Sequence, residues 1–473
     1  MSNAPLVSII IVNFNGKHYL KTCLDAVLDQ SFAKNKYEVL VVDNDSDDNS
    51  VSYLKNEYPQ VRLIVSGQNL GFAGGNNLGV KHTRGEYIAL LNNDTKVDKD
   101  WLKYLVKAIE NDSKLAAVNS KSLLFYPFVT VTIDSETHLR SDFTQSLDFK
   151  PVGVAIEEVV TKHPGLQRMI QYYRGFYKKE NDDKDQIPLR WTDGSGELLL
   201  AVDPNSEAVT YTITLRAQRS KSALKTKVSI KVGKMVLSQE TLTGHDVKQI
   251  KISLDPKKLK KILQYEVQNA GNVVFKSGYS RDRGAVVGNK QQYFELDNPY
   301  FNQSKYVDAL CGVSVILRKK LFTKLGGFDK SFFMYYEDVD LSLKLRRLGY
   351  KLGYAPQSIL YHIHAGSSGE WSPFFIYHVE KNHLAFTAKH FPLRTTVSEI
   401  IRYYGLIAIT ILKVIKWRFS EHWQIFEDKK ELLEVRINAL NWFWKQLPKI
   451  ISFRNEMKAQ EKVSLQQLYE SYY

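Results

Sequence analysis

The chain has 473 residues, more than one ordinary core accommodates, so two or three domains are expected. Hydrophobic residues make up 44% and aromatics 12%, which excludes a disordered chain and suits cores, interfaces and sugar faces. The net charge of +14 points to an anionic partner, but the only dense basic cluster is DPKKLKKIL at 255–263, so nucleic acid is not expected as that partner.

The two cysteines, Cys23 and Cys311, are too few for a disulfide framework and fit a reducing compartment. MSNAPLVSIIIVNF lacks a basic leader and a cleavage site, and no apolar run reaches the length of a membrane span. A cytoplasmic location is therefore expected.

In chain order, LVSIIIV reads as a buried strand and 17–29 as a helix with Leu20, Leu24 and Val27 on one face. YEVLVV is a second strand, 49–57 a helix, VRLIV a third strand, and 74–82 a helix leading to EYIALL. A helix over 98–111 follows. This βα alternation predicts a parallel sheet with helices on both faces. Each strand ends in a polar group: Asn13, Asp43, Asn69, then Asn92-Asn93-Asp94. Parallel strands end on one side of the sheet, where ligands of open α/β sheets bind. Singly, these residues read as turn-formers and caps; together they read as a site.

From about 140 the rhythm changes. GLQRMIQYYRGFY reads as a possible helix, and alternating strands follow: ELLLAVD, AVTYTITLRAQ, TKVSIKV, KMVLSQETL, VKQIKISL and YEVQNAG. They predict an antiparallel β-sandwich inserted into the α/β domain. Trp191 reads as core. The α/β style then returns, and the last 80 or so residues read as basic, aromatic helices that either pack on the protein or lie in a membrane interface.

The acids of YYEDVDLSLKLRRLGY begin a helix over 337–348, with Leu341, Leu345 and Leu348 on the buried face and Gly349 ending it. A helical wheel turns Asp338 inward and leaves Asp340 as a solvated ion-pair partner. Asp338 and Glu337 read either as a helix cap or as a catalytic base with its neighbour.

The ordered set IIIVNFNG, VVDNDSDDNS, NLGFAGGNNLG, ALLNNDTKVDKDW, GGFDKSFFMYYEDVDLSLKLRRLGY and YHIHAGSSG resembles inverting family 2 nucleotide-sugar glycosyltransferases of the GT-A fold. TIDS (132–135) and DRG (282–284) bring it nearest to the bacterial rhamnosyltransferase-like subgroup. The resemblance covers about 1–135 and 278–390. It implies a mostly parallel Rossmann-like sheet divided as 1–138 (nucleotide-binding part), 139–276 (inserted sandwich), 277–393 (acceptor and catalytic part) and 394–473 (helical region).

The resemblance also assigns roles. Asn13, Phe14 and Asp43 would hold a pyrimidine base, and Asn69, Asn76 and Asn93 the rest of the donor. Asp94 and His362 would hold a divalent metal, Mg2+ or Mn2+, with His364 the lesser candidate; Asn92 stands where the family has the first acid of its metal motif. Asp338 would be the general base, assisted by Glu337. The partners implied are a UDP- or dTDP-sugar donor, rhamnose among the sugars, and a glycan or lipid-linked glycan acceptor, with peripheral contact at the inner face of the membrane. Two other readings compete: a nucleotidyltransferase, poorly matched by IIIVNFNG, and a carbohydrate-binding or scaffold protein with an inactive GT-A domain, which Asn92 favours.

Overall fold

The computed structural model describes residues 4–139, 150–181, 187–217, 225–244, 246–287, 292–363, 372–418 and 423–473. The chain forms two compact units: Met1–Phe125 with Val267–Tyr473, and Tyr126–Glu266.

In the first unit β1 (Val7–Asn13) lies between β2 (Tyr37–Asp43) and β4 (Tyr87–Asn92), and β3 (Arg62–Val65) flanks β2, all parallel. Beyond β4 the strand Ser314–Arg318 runs antiparallel to both β4 and β6 (Leu115–Leu124). The long strand Lys351–His362 pairs parallel with β6 and antiparallel with β5 (Thr95–Val97). The sheet is thus parallel on the β3 side and mixed on the β6 side.

Ile9, Ile10 and Ile11 of β1 are all fully buried, which explains the unbroken apolar run. Ile9 and Ile11 pack on α1 (Lys17–Leu28) and α4 (Trp101–Asn111); Ile10 packs with α3 (Gly71–Lys81) on the other face. Each such side chain contributes about 1.5–3 kcal/mol on burial. Register matters more for function. Asn13 is level with Asp43, and Val12 with Asn92, so three strand ends meet.

The C-terminal helices Pro373–His390, Leu393–Arg418, Trp423–Gln460 and Leu465–Glu470 belong to this same unit. Helix Glu337–Arg347 is buried on two sides: Leu341 and Leu345 face the sheet, while Val339 and Leu343 join Leu384, Phe386 and Phe443. The boundary drawn at 393 therefore separates segments that share a core.

The boundaries at 138 and 276 also shift. Strand Phe128–Ser135 pairs with Pro188–Ala201 inside the second unit, while Val267 and Asn269 pair with β6 in the first. In the second unit nine described antiparallel strands join in one connected sheet, and His138–Leu139 pairs with Pro151–Val152 apart from it. The expected helix at GLQRMIQYYRGFY is corrected: only Pro164–Gln167 is helical, and Gln171–Phe176 is a strand on Pro188–Ala201. Its aromatic and β-prone residues follow the sheet edge rather than a helical period. Trp191 is core there, with Val152, Ala155 and Leu189.

Candidate active site

At the meeting strand ends, Asn13 donates from Nδ2 to Asp43 Oδ2 (3.1 Å), and Asn93 donates to Asn13 Oδ1 (2.8 Å). Asp43 Oδ1 accepts from the Ser46 N–H at 3.0 Å, a turn bond that leaves lone pairs to spare. A Cβ at Gly16 would stand 2.2 Å from Asn93 Nδ2, so a larger residue there would displace the Asn93 amide. Beside this cluster the Phe14 ring is 44% exposed, an open face for stacking. Asn69 and Asn76 stand apart from it. Asn69 accepts from the Gly71 N–H (2.9 Å) and Asn76 donates to the Phe72 carbonyl (2.9 Å), which are local turn and helix bonds.

The β4–β5 turn carries Asp94 to His362, 268 positions away, with Oδ1 3.1 Å from Nε2. His362 Nδ1 lies 2.7 Å from Gln268 Oε1, which also accepts from Ser122. An oxygen thus faces each ring nitrogen, and a cation at Nε2 would require the ring proton to lie on Nδ1, donated to Gln268. Among the described residues no set of three or more His, Cys, Asp or Glu side chains is arranged to hold a metal. Asp94 and His362 place one carboxylate oxygen and one imidazole nitrogen side by side. His364 lies outside the described residues.

Asp282, of the DRG motif, links this end of the site to the other. It accepts from Asn269 Nδ2 at 2.6 Å, and burial pushes it up to about 6, against the opposing influence of that bond and of His362. Its own charge acts in turn on Asp338. Sequence reasoning quoted DRG but gave Asp282 no role. Gln268 was also missed, since YEVQNAG reads as one more strand of the insert.

Asp338 sits in the first turn of helix Glu337–Arg347. Its Oδ2 accepts from the Gly312 N–H and its Oδ1 from the Val339 N–H, both at 2.7 Å. Burial pushes it up to about 6, against the pull of those two bonds. Glu337 is buried, its Oε2 has no hydrogen-bond partner among the described residues, and burial with the Asp338 charge pushes it well above the usual carboxylate range. Burial and the neighbouring charge thus favour the protonated form more strongly at Glu337 than at Asp338.

Asp340 overturns its expected role. It is 0% exposed and pairs with Lys344 (2.5 Å), Lys389 (2.5 Å) and His390 (2.8 Å). Against burial, the two ammonium groups and the His390 hydrogen bond hold it well below the ordinary range. A helical wheel sees one helix; here the C-terminal helices cover the face it leaves to solvent.

The FFMYY segment before the helix places Phe333, Tyr335 and Tyr336 at φ of 66°, 69° and 68°, left-handed values that cost bulky residues about 1–3 kcal/mol each. Asn382 holds the segment, its Nδ2 lying within 3.0 Å of the carbonyls of Phe332, Met334 and Tyr335. The Phe333 carbonyl accepts from the Ala73 N–H (3.0 Å), tying the segment to α3. Gly71 is needed at that junction: its φ is +67°, and a Cβ would stand 2.5 Å from the Phe333 oxygen.

An α/β sheet with acids gathered at its strand ends defines an enzyme-like class. Residues 8–123 match the model of Glycosyl transferase family 2, and residues 267–376 that of Glycosyl transferase family group 2. These matches support a family 2 glycosyltransferase. The chain is 32% identical over 111 residues to Glycosyltransferase AglE of Haloferax volcanii, covering 23% of this chain and 36% of that protein. It is 32% identical over 121 residues to hyaluronan synthase of Pasteurella multocida, covering 25% of this chain and 12% of that one. Among solved structures it is similar to the mannosyltransferase PcManGT of Pyrobaculum calidifontis in complex with GDP-Man and Mn2+, at TM-score 0.39 and 11% identity over 92% of this chain and 87% of that one. The chain thus spans well under half the length of these curated relatives.

Proposed function

We propose that the protein is an inverting glycosyltransferase that moves a sugar from a UDP- or dTDP-linked donor to a hydroxyl of a glycan or lipid-linked glycan in cell-surface polysaccharide synthesis. Rhamnose is the sugar its motifs favour. The observation that carries this reading is Asp338: a carboxylate seated by two backbone N–H groups and pushed up to about 6, beside the buried acid Glu337.

In this reading Asp338 takes the proton from the acceptor hydroxyl as its oxygen bonds to the anomeric carbon. The bond from that carbon to the diphosphate breaks on the opposite face, and its electron pair leaves with the nucleoside diphosphate. Glu337, protonated, donates a hydrogen bond toward the acceptor. Phe14 stacks on the base, Asp43 and Asn13 read its edge, and Asn93 with Asn69 and Asn76 lines the donor side. Asp94 and His362 would hold a divalent cation, Mg2+ or Mn2+, which when bound supplies charge stabilisation to the leaving diphosphate. The exposed apolar stripe of Leu393–Arg418 would rest on the inner face of the membrane, beside a lipid-linked acceptor.

The test is a panel of UDP-, dTDP- and GDP-sugars, assayed for nucleoside diphosphate release with and without Mg2+ or Mn2+. Expected is turnover with one donor, lost on chelation and in Asp338→Asn. No turnover and no nucleotide binding across the panel overturns the reading in favour of a binding protein.

A further inference from the structure

Arg283 closes the strand pair Asn272–Val274 and Ser280–Asp282. Its guanidinium lies over three rings, with centroids at 4.8 Å (Tyr354), 5.5 Å (Tyr300) and 5.8 Å (Phe301). Nε, Nη1 and Nη2 are all buried and have no hydrogen-bond partner among the described residues. A buried guanidinium of this kind is almost always paired with an anion. Ring faces offset part of the desolvation but accept no in-plane hydrogen bond.

Arg283 lines a cavity of about 320 Å3. Arg281 and Lys305 stand exposed on its rim, the Lys305 ammonium 4.6 Å from the Tyr300 ring centroid. Tyr300 and Tyr306, each more than half exposed, also line it. Three acids also line the cavity. Asp308 is tied to Arg346 at 3.3 Å and Asp282 to Asn269 at 2.6 Å, while Glu295 is exposed at the edge. None neutralises Arg283.

We propose that this cavity binds an anionic sugar, its carboxylate or phosphate on Arg283 and its ring against Tyr300 and Tyr306. A planar fork with free N–H groups suits a two-oxygen anion, and tyrosine faces suit a pyranose ring. Asp282 lines this cavity, and its charge also acts on Asp338. The choice of a saccharide rests on the glycosyl-transfer reading; the choice of an oxyanion does not.

The full chain should be titrated calorimetrically with glucuronate, glucose 6-phosphate, glucose and inorganic phosphate. At least one anionic sugar is expected to bind tenfold or more tighter than both glucose and phosphate, and the better of the two identifies carboxylate or phosphate as the anion. Arg283→Gln should weaken that binding tenfold or more, and Arg283→Lys by less, with nucleotide binding unchanged in both. Should these variants fail to fold, the rim pair Arg281→Gln with Lys305→Gln should weaken it at least threefold. Equal binding of glucose overturns the proposal, as does wild-type binding by folded Arg283 variants or by the rim pair. Phosphate binding as tightly as glucose 6-phosphate overturns the saccharide half. An anionic sugar that binds to a chain inert toward every nucleotide sugar overturns the transferase reading and leaves the cavity standing.

Discussion

Gly312 donates its backbone N–H to Oδ2 of Asp338 at 2.7 Å, a bond that favours the charged carboxylate while burial disfavours it. Burial wins, and the group is pushed up to about 6. Below that pH the base is protonated and cannot accept the hydroxyl proton; above it the base is competent. Turnover should therefore rise through an acid limb at about 6 and then level. Asp338→Asn should lower turnover by about 10²–10⁴-fold with nucleotide affinity kept. Initial rates of nucleoside diphosphate release across pH check this, and a flat profile through that region removes Asp338 as base.

Much of the fold was legible because its signals are local. The runs IIIV and VLVV are buried on both faces, and polar residues at fixed strand ends meet through register. The Asp94–His362 pair was legible through motif resemblance alone, since nothing local joins residues 268 apart. What failed is what depends on a second layer. Asp340 reads as exposed until helix Pro373–His390 supplies Lys389 and His390. Phe128–Ser135 reads as part of the first domain until Pro188–Ala201 claims its edge. Asn382 sits in an aromatic helix with no local mark, and its work lies some 50 residues upstream.

Asn382, in helix Pro373–His390, holds the segment that leads into helix Glu337–Arg347. Its two Nδ2 hydrogens serve three carbonyls, so one is shared. Asn382→Leu keeps the shape and removes the donors, leaving carbonyls of a strained segment unpaired at a cost of about 1–3 kcal/mol. The segment then relaxes and Asp338 shifts. The expected result is a lower kcat, a nearly unchanged affinity for nucleotide, and a lower melting temperature. Loss of nucleotide binding alone, with kcat intact, would assign Asn382 elsewhere.

Asp340 balances Lys344 and Lys389 in a fully covered site. Asp340→Asn strands the buried Lys344 ammonium and leaves Lys389 with Asp329 alone, and breaking such a network costs about 3–5 kcal/mol. The sign with pH follows from the depressed native value. The stability that this group supplies is present above the unfolded carboxylate value of about 3.9, and is lost as pH falls through the lower native one. Wild type should lose stability steeply in that acid window, and Asp340→Asn should lack that component. Denaturant melts of both proteins at neutral and acid pH measure the difference; equal stabilities at neutral pH would show that the network contributes nothing net.

Helix Leu393–Arg418 buries Tyr403, Ile407 and Thr410 while Leu393 (70%), Ile401 (66%) and Leu412 (66%) stay exposed. Val397, Tyr404 and Ile415 extend this stripe at helical spacing, and Lys413, Lys416 and Arg418 attend its end. No described helix is long and apolar enough to cross a membrane, so the stripe would lie on a surface rather than span it. A basic apolar face on a chain of charge +14 fits anionic lipid. Co-sedimentation with phosphatidylglycerol vesicles should exceed that with phosphatidylcholine and should weaken as salt rises. Ile401→Glu with Leu412→Glu should cut binding about a hundredfold or more, because each substitution removes apolar burial worth about 1.5–3 kcal/mol and adds repulsion from the lipid. Turnover on a soluble acceptor should be unchanged. Equal binding to both vesicle types, or binding untouched by the double substitution, would leave the stripe to a protein partner instead.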